Sequence, residues 1–173
     1  MTRRFFPLIL LTTVLVLAGT LPAARAADEA QERAELAKAM GGAKVTLQDG
    51  LKASVSQGKP ISAKFEVEGD TLQLSVYTMK GNGFSEVVVN PASGKVNKAE
   101  TITDKEDLEH AQAQKAAMDK AKTTLLTAAD NAAKSNAGYK VVSVVPQMKA
   151  GHPVADVTLL RGSAYKTVSE KLD

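Results

Sequence analysis

The stretch Ile61-Ser62-Ala63-Lys64-Phe65-Glu66-Val67-Glu68-Gly69-Asp70-Thr71-Leu72-Gln73-Leu74-Ser75-Val76-Tyr77 carries the clearest architectural signal in the chain. Ile61, Ala63, Phe65 and Val67 alternate with Ser62, Lys64, Glu66 and Glu68, the period of two that a half-buried strand requires. Gly69-Asp70 turns the chain, and Leu72, Leu74 and Val76 then alternate with Gln73, Ser75 and Tyr77. Gly81-Asn82-Gly83 is a tight hairpin signal, Phe84 to Val89 reads as a third strand, and Pro91-Ala92-Ser93-Gly94 turns again before a short last strand around Val96. The result is an antiparallel meander with one apolar face. Lys64, Glu66, Gln73, Ser75 and Tyr77 are expected on the face away from any covering helix.

Upstream, Thr46-x-x-Asp49 has the form of a capping box. Leu47, Leu51 and Val55 follow at intervals of four along one helical face, and Gly58 stands where a helix stops. Asp28 to Met40 is charged and Ala-rich, a helical composition with little to bury, ending at Gly41-Gly42.

Downstream, Thr103-x-x-Glu106 is a second capping box, after which neither Gly nor Pro occurs before Asn136. The segment reads as a long helix, or as two helices nearly in line. Leu108, Ala111, Met118, Ala121, Leu125, Ala129 and Ala132 form its stripe, interrupted at Gln114-Lys115, with Thr123-Thr124 marking a kink. Strands then return at Tyr139 to Val145, Val154 to Leu160 and Tyr165 to Leu172. A shift of 81 lays Gly81 on Gly162, Phe84 on Tyr165, Val76 on Val157 and Val87 on Val168. This is the signature of a diverged internal duplication. The expected fold is α+β: two tandem units, each a helix packed on a small antiparallel sheet, joined by a long helix.

The N-terminus places Arg3-Arg4 before an apolar run from Phe5 to Ala18, with Ala24-Arg25-Ala26 ahead of Asp28-Glu29. This is the n-region, h-region and small-x-small order of a cleaved signal peptide. The core is short of the roughly 20 residues of a membrane span and breaks at Gly19 and Pro22. Thr2-Arg3-Arg4-Phe5-Phe6 resembles the start of a twin-arginine signal, but the strongly apolar core favours the general export route. The chain thus divides into a signal peptide (1–26), an N-terminal helical segment (27–44), a first unit (45–102) and a long helix plus second unit (103–173). A periplasmic or secreted product without a membrane anchor after cleavage is expected.

Cleavage alters the charge. The net +3 arises from 22 basic and 19 acidic residues, and removing Arg3, Arg4 and Arg25 leaves 19 of each, a net charge of zero. A nucleic-acid partner is therefore not expected. Cys is absent, so disulfides, thiolate metal sites, cysteine nucleophiles and a lipidated cysteine are excluded. The 147 residues after position 26 bury about two-thirds of their unfolded surface without such staples.

The segment from Ile61-Ser62-Ala63-Lys64-Phe65-Glu66 through Val76-Tyr77 to Val87-Val88-Val89-Asn90-Pro91-Ala92-Ser93-Gly94-Lys95-Val96, with the helix before it, resembles the PepSY domain. The match covers residues 45 to 100 and returns more weakly from 120 to 173. The resemblance implies a small α+β module outside the cytoplasm, with a helix on one face of an antiparallel sheet. It implies no catalytic residues, and a role towards peptidases as inhibitor or chaperone. Asn90, Pro91 and Gly94 are turn-makers, with no binding role.

A hydrolytic triad needs a nucleophile, a base and an orienting acid. His110 and His152 are the only histidines, Ser143 and Asp156 are merely near His152 in sequence, and no Gly-x-Ser-x-Gly elbow occurs. Glu106 and His110, at i and i+4, provide two of the three or four ligands a metal site requires. Neither an enzyme, a metal site nor a cofactor is expected. The expectation is a binding module that recognises a protein or peptide of the cell envelope through a sheet face or edge, with Tyr77 and Tyr165 as candidate contacts. The alternative is a small-molecule or lipid carrier with a groove between the two units.

Overall fold

The computed structural model describes residues 23–173, with side chains from residue 26 onward. Residues 1–22 of the expected signal peptide lie outside the described residues. The helices are α1 (Ala23–Ala39), α2 (Leu47–Ser54), α3 (Lys105–Lys120) and α4 (Leu125–Ser135). The strands are β1 (Lys59–Glu68), β2 (Thr71–Lys80), β3 (Gly83–Val89), β4 (Val96–Thr101), β5 (Lys140–Lys149), β6 (His152–Arg161) and β7 (Ala164–Lys171). All seven form one antiparallel sheet in the order β4-β3-β2-β1-β5-β6-β7. The chain is α+β, but the two separate small sheets expected from the sequence are replaced by this single one, because β1 pairs with β5.

Local chemistry accounts for the elements. Thr46 caps α2 through its side chain on the Asp49 N–H, while Asp49 accepts from the Thr46 N–H at 2.9 Å, closing the box read from the sequence. Leu47 and Leu51 are buried as expected, but Val55 is 61 % exposed. The helix ends at Ser54, so the third position of the spacing falls beyond it. α3 is capped by Asp104, which accepts from the Glu106 and Asp107 N–H groups, and not by Thr103. Its carboxylate sits one residue closer to those donors. The helical run breaks at 121–124, where the Lys122 and Thr123 N–H groups donate to the Leu172 carbonyl at 2.6 and 2.9 Å. Thr124 then caps α4 through the Thr127 N–H. The expected long joining helix is thus two helices.

Strand pairing assigns the faces. Ala63, Phe65, Leu74, Val76, Val87, Val89, Val144, Val157 and Ala155 share one face, and all are buried. α2 and α4 lie on it side by side, joined by a hydrogen bond from Gln48 to Asp130 at 3.3 Å. Gly50 is the point of closest approach: a Cβ there would stand 2.3 Å from Leu74 Cδ2. α3 crosses the opposite face, where Tyr77 donates to Asp107 at 3.1 Å and Ser62 to Gln114 at 2.8 Å. Gln114, the apparent interruption in the α3 stripe, is 2 % exposed and fills the stripe with a polar side chain.

The ladders recur at an offset of 81 residues. Lys59↔Met79 and Ser62↔Tyr77 in β1–β2 correspond to Lys140↔Leu160 and Ser143↔Thr158 in β5–β6. The register shift passes over Ile61 in the first ladder and Val142 in the second, so the bulges recur at the same offset. They bracket the β1–β5 seam, where Ala63 pairs with Val144 and Lys64 with Ser143. Ile61 therefore sits in a bulge and leaves the simple alternation. β5 runs past the expected end at Val145 to Lys149 and includes Pro146. Proline has no N–H for a ladder, and the pairing with β1 ends short of it.

Candidate functional site

The face opposite α2 and α4 is covered in part by α3, with α1 reaching it at Tyr165, and it carries Lys64, Glu66, Ser75, Glu86, Lys98, Glu100, Asp156 and Ser169. Lys64 lies opposite Ser75, Glu66 opposite Gln73, Tyr77 opposite Glu86, Val88 opposite Lys98 and Glu86 opposite Glu100. Across the seam, Ser143, Thr158 and Thr167 continue one row, and Val145, Asp156 and Ser169 another. The face expected for Lys64, Glu66, Gln73, Ser75 and Tyr77 is thus the face they share.

Two polar clusters occupy it. In the first, Ser75 is 1 % exposed, with its Oγ 2.5 Å from Glu66 Oε1 and 2.8 Å from Glu86 Oε1. Gln73 Nε2 donates to Glu66 at 3.0 Å and to Ser75 at 3.2 Å, and Lys64 forms an ion pair with Glu66. The hydroxyl has one proton for two carboxylates. The arrangement is complete when one carboxyl keeps its own proton. Burial raises Glu86 above the ordinary carboxylate range; the Ser75 hydrogen bond opposes this, while the nearby Glu66 charge reinforces it. Burial acts on Glu66 in the same direction, but the Lys64 ammonium and the hydrogen bonds from Lys64, Ser75 and Gln73 outweigh it and hold Glu66 low. Neighbouring carboxyls are thereby driven apart.

The second cluster stands at the same offset. Asp156 and Gln147 take the places of Ser75 and Glu66 and are hydrogen-bonded to each other. Lys149 Nζ reaches the Asp156 oxygens at 2.8 and 3.1 Å, and Ser169 donates to Asp156 at 2.5 Å. Asp156 is 8 % exposed. Each cluster satisfies one buried polar residue in mid-sheet.

Tyr77 is buried beneath α3, with its ring among core residues and its hydroxyl on Asp107. Burial, followed by the Asp107 charge, pushes its hydroxyl far above the ordinary tyrosine range. Tyr165, half-buried on β7, donates to the Arg33 carbonyl at 2.8 Å, and the Arg33 guanidinium stands 5.6 Å from its ring centre. Each tyrosine ties a helix to the sheet, and the structure does not bring the two together. The buried Ser75 and Asp156, the centres of the two clusters, carry no mark in the sequence beyond standing 81 residues apart.

The histidines are apart as well. His110 Nε2 is 3.9 Å from Glu106 on the exposed start of α3, beside a shallow hollow lined by Asp104, Lys105 and Glu109. His152 Nδ1 is 2.6 Å from an Asp173 carboxylate oxygen, and that hydrogen bond is the chief cause holding Asp173 below its ordinary value. Asp156, bonded to Gln147, Lys149 and Ser169, orients neither imidazole. Among the described residues no three His, Cys, Asp or Glu side chains gather as a metal site would require, and no helix is long and apolar enough to cross a membrane.

No family model matches the chain, and no curated protein matches it. Among solved structures it is similar to one from Clostridium difficile 630 described as a "putative lipoprotein", at 15% identity and a TM-score of 0.42, covering 76% of this chain and 88% of that one.

Proposed function

We propose that this protein is an exported, non-enzymatic, PepSY-like binding module that recognises a polypeptide of the cell envelope on the open face of its sheet and modulates a peptidase there. The observation that carries the reading is the pair of pre-assembled polar clusters on that face. Side chains already held by neighbours lose little freedom when a partner docks, and Lys64 and Lys149 keep 28% and 40% of their side-chain surface exposed. The recurrence of ladder, bulge and cluster at one offset supports an origin in two tandem PepSY-like units whose sheets fused through β1 and β5.

A carrier function is favoured less. The place between the two halves is taken up by the β1–β5 pair, with Ala63 and Val144 at 2 % and 0 % exposure, which leaves less room there for a ligand.

The test is capture from envelope extract with the wild-type protein and with a Lys64→Glu/Lys149→Glu variant, alongside proteolysis assays with envelope peptidases. The reading expects one polypeptide retained by the wild type, lost by the variant, whose cleavage or whose own peptidase activity changes on addition of the protein. Retention by both proteins alike, or no change in proteolysis, counts against it.

A further inference from the structure

We infer that the outer edge of β7 is a self-recognition surface, on which β7 of a second copy pairs antiparallel about a two-fold axis through Val168, joining two seven-stranded sheets into one. Among the described residues β4 and β7 are the edges of the sheet, and they differ. β4 has six residues, its register against β3 shifts between Val88 and Val89, and it closes its charges on itself through Lys98 and Glu100 at 2.6 Å. Shortness and irregularity are ways an edge is kept from pairing. β7 has eight residues and runs in unbroken register with β6, from Val154↔Lys171 to Arg161↔Ala164, with no bulge and no proline. Its open backbone groups form a straight template.

The side chains specify the occupant. In an antiparallel pair centred on one residue, positions equidistant from the centre face each other, and the two-fold axis repeats each match. Centring on Val168 sets Val168 against itself, Lys166 against Glu170 of the second copy and Thr167 against its Ser169. Centring one residue either way sets Val168 against a charged side chain. Val168 is partly buried against the core, and Lys166, Thr167 and Ser169 are exposed. Lys166 Nζ is held by the neutral Asn136 Oδ1 at 2.5 Å, and Glu170 has no ion pair among the described residues. The pairing supplies the opposite charge to both. A foreign strand could use the same backbone edge, but only a copy of this chain brings the matched pattern with it.

Sedimentation equilibrium of the purified protein over a concentration series tests this, with circular dichroism confirming that each variant is folded. A reversible dimer is expected. Lys166→Glu and Glu170→Lys each replace two opposite-charge pairs by two like-charge pairs and are expected to weaken it about tenfold, and the double variant restores it. The chain has no Cys, so Val168→Cys is expected to give a covalent dimer on mild oxidation and Ala164→Cys to give none. A protein monomeric throughout the series, a dimer indifferent to these reversals or not restored by the double variant, or one responding instead to Lys98→Glu overturns the inference.

Discussion

Ala150 holds a φ of 49° in the two-residue turn between β5 and β6, the one non-glycine residue in the left-handed region among the described residues. At the offset of 81 its counterpart is Gly69, with φ 60° in the turn between β1 and β2. A Cβ in that conformation costs about 1–2 kcal/mol, part of which a glycine returns through greater unfolded-state freedom. Ala150→Gly is expected to stabilise the protein by about 0.5–1 kcal/mol, measured as a rise in the urea midpoint. Glu86 makes a pH-dependent prediction. Its folded pKa is raised, so the folded state binds more protons than the unfolded one between the ordinary and the raised value, and stability falls as pH climbs through that window. Glu66, held low, acts oppositely: its contribution is present above the ordinary carboxylate value and disappears as pH falls through the lowered one. Glu86→Gln keeps a donor toward Ser75 without the charge. Its stability relative to wild type, followed by urea denaturation, is expected to grow as pH rises through the Glu86 window and then level off.

Among the elements, helix starts are readable where a cap and its target are close in sequence. The box of Thr46 and Asp49 acts as its spacing implies. At the start of α3 two adjacent residues could cap, and Asp104 displaces Thr103 because one carboxylate serves two N–H groups. The break between α3 and α4 is only half legible. Thr123-Thr124 marks the position, but the acceptor that stabilises the break, the Leu172 carbonyl, is some fifty residues away in the chain. Leu172 is 0 % exposed, and its N–H donates to Pro153, so it locks the helix break to the end of β7. Leu172→Ala is expected to cost about 2–4 kcal/mol in urea denaturation. Amide exchange at Lys122 and Thr123 is expected to accelerate more than exchange in mid-β2.

For the whole molecule, the continuous sheet changes what unfolds with what. The halves share the β1–β5 seam, α3 crosses from Tyr77 on β2 toward the Leu172 end of the sheet, and α2 touches α4 through Gln48 and Asp130. One cooperative unfolding transition is therefore expected. Far-ultraviolet circular dichroism and the near-ultraviolet tyrosine signal, which samples Tyr77 in one half and Tyr139 and Tyr165 in the other, should coincide. Separate midpoints would mean that the seam does not couple the halves.

The strands, the turns and the polar face of the first meander are written in the chain, because each depends on a periodicity or a local hydrogen bond among neighbouring residues, and the offset of 81 is written in it as self-similarity. That the sheets are one, that the helical run is two helices on opposite faces, that Val55 is outside and Gln114 inside, and that Tyr77 serves the core follow from the assembled fold. These outcomes depend on which strand edge meets which and on what stands over each face. Such contacts join residues far apart in the chain, and no local pattern encodes them.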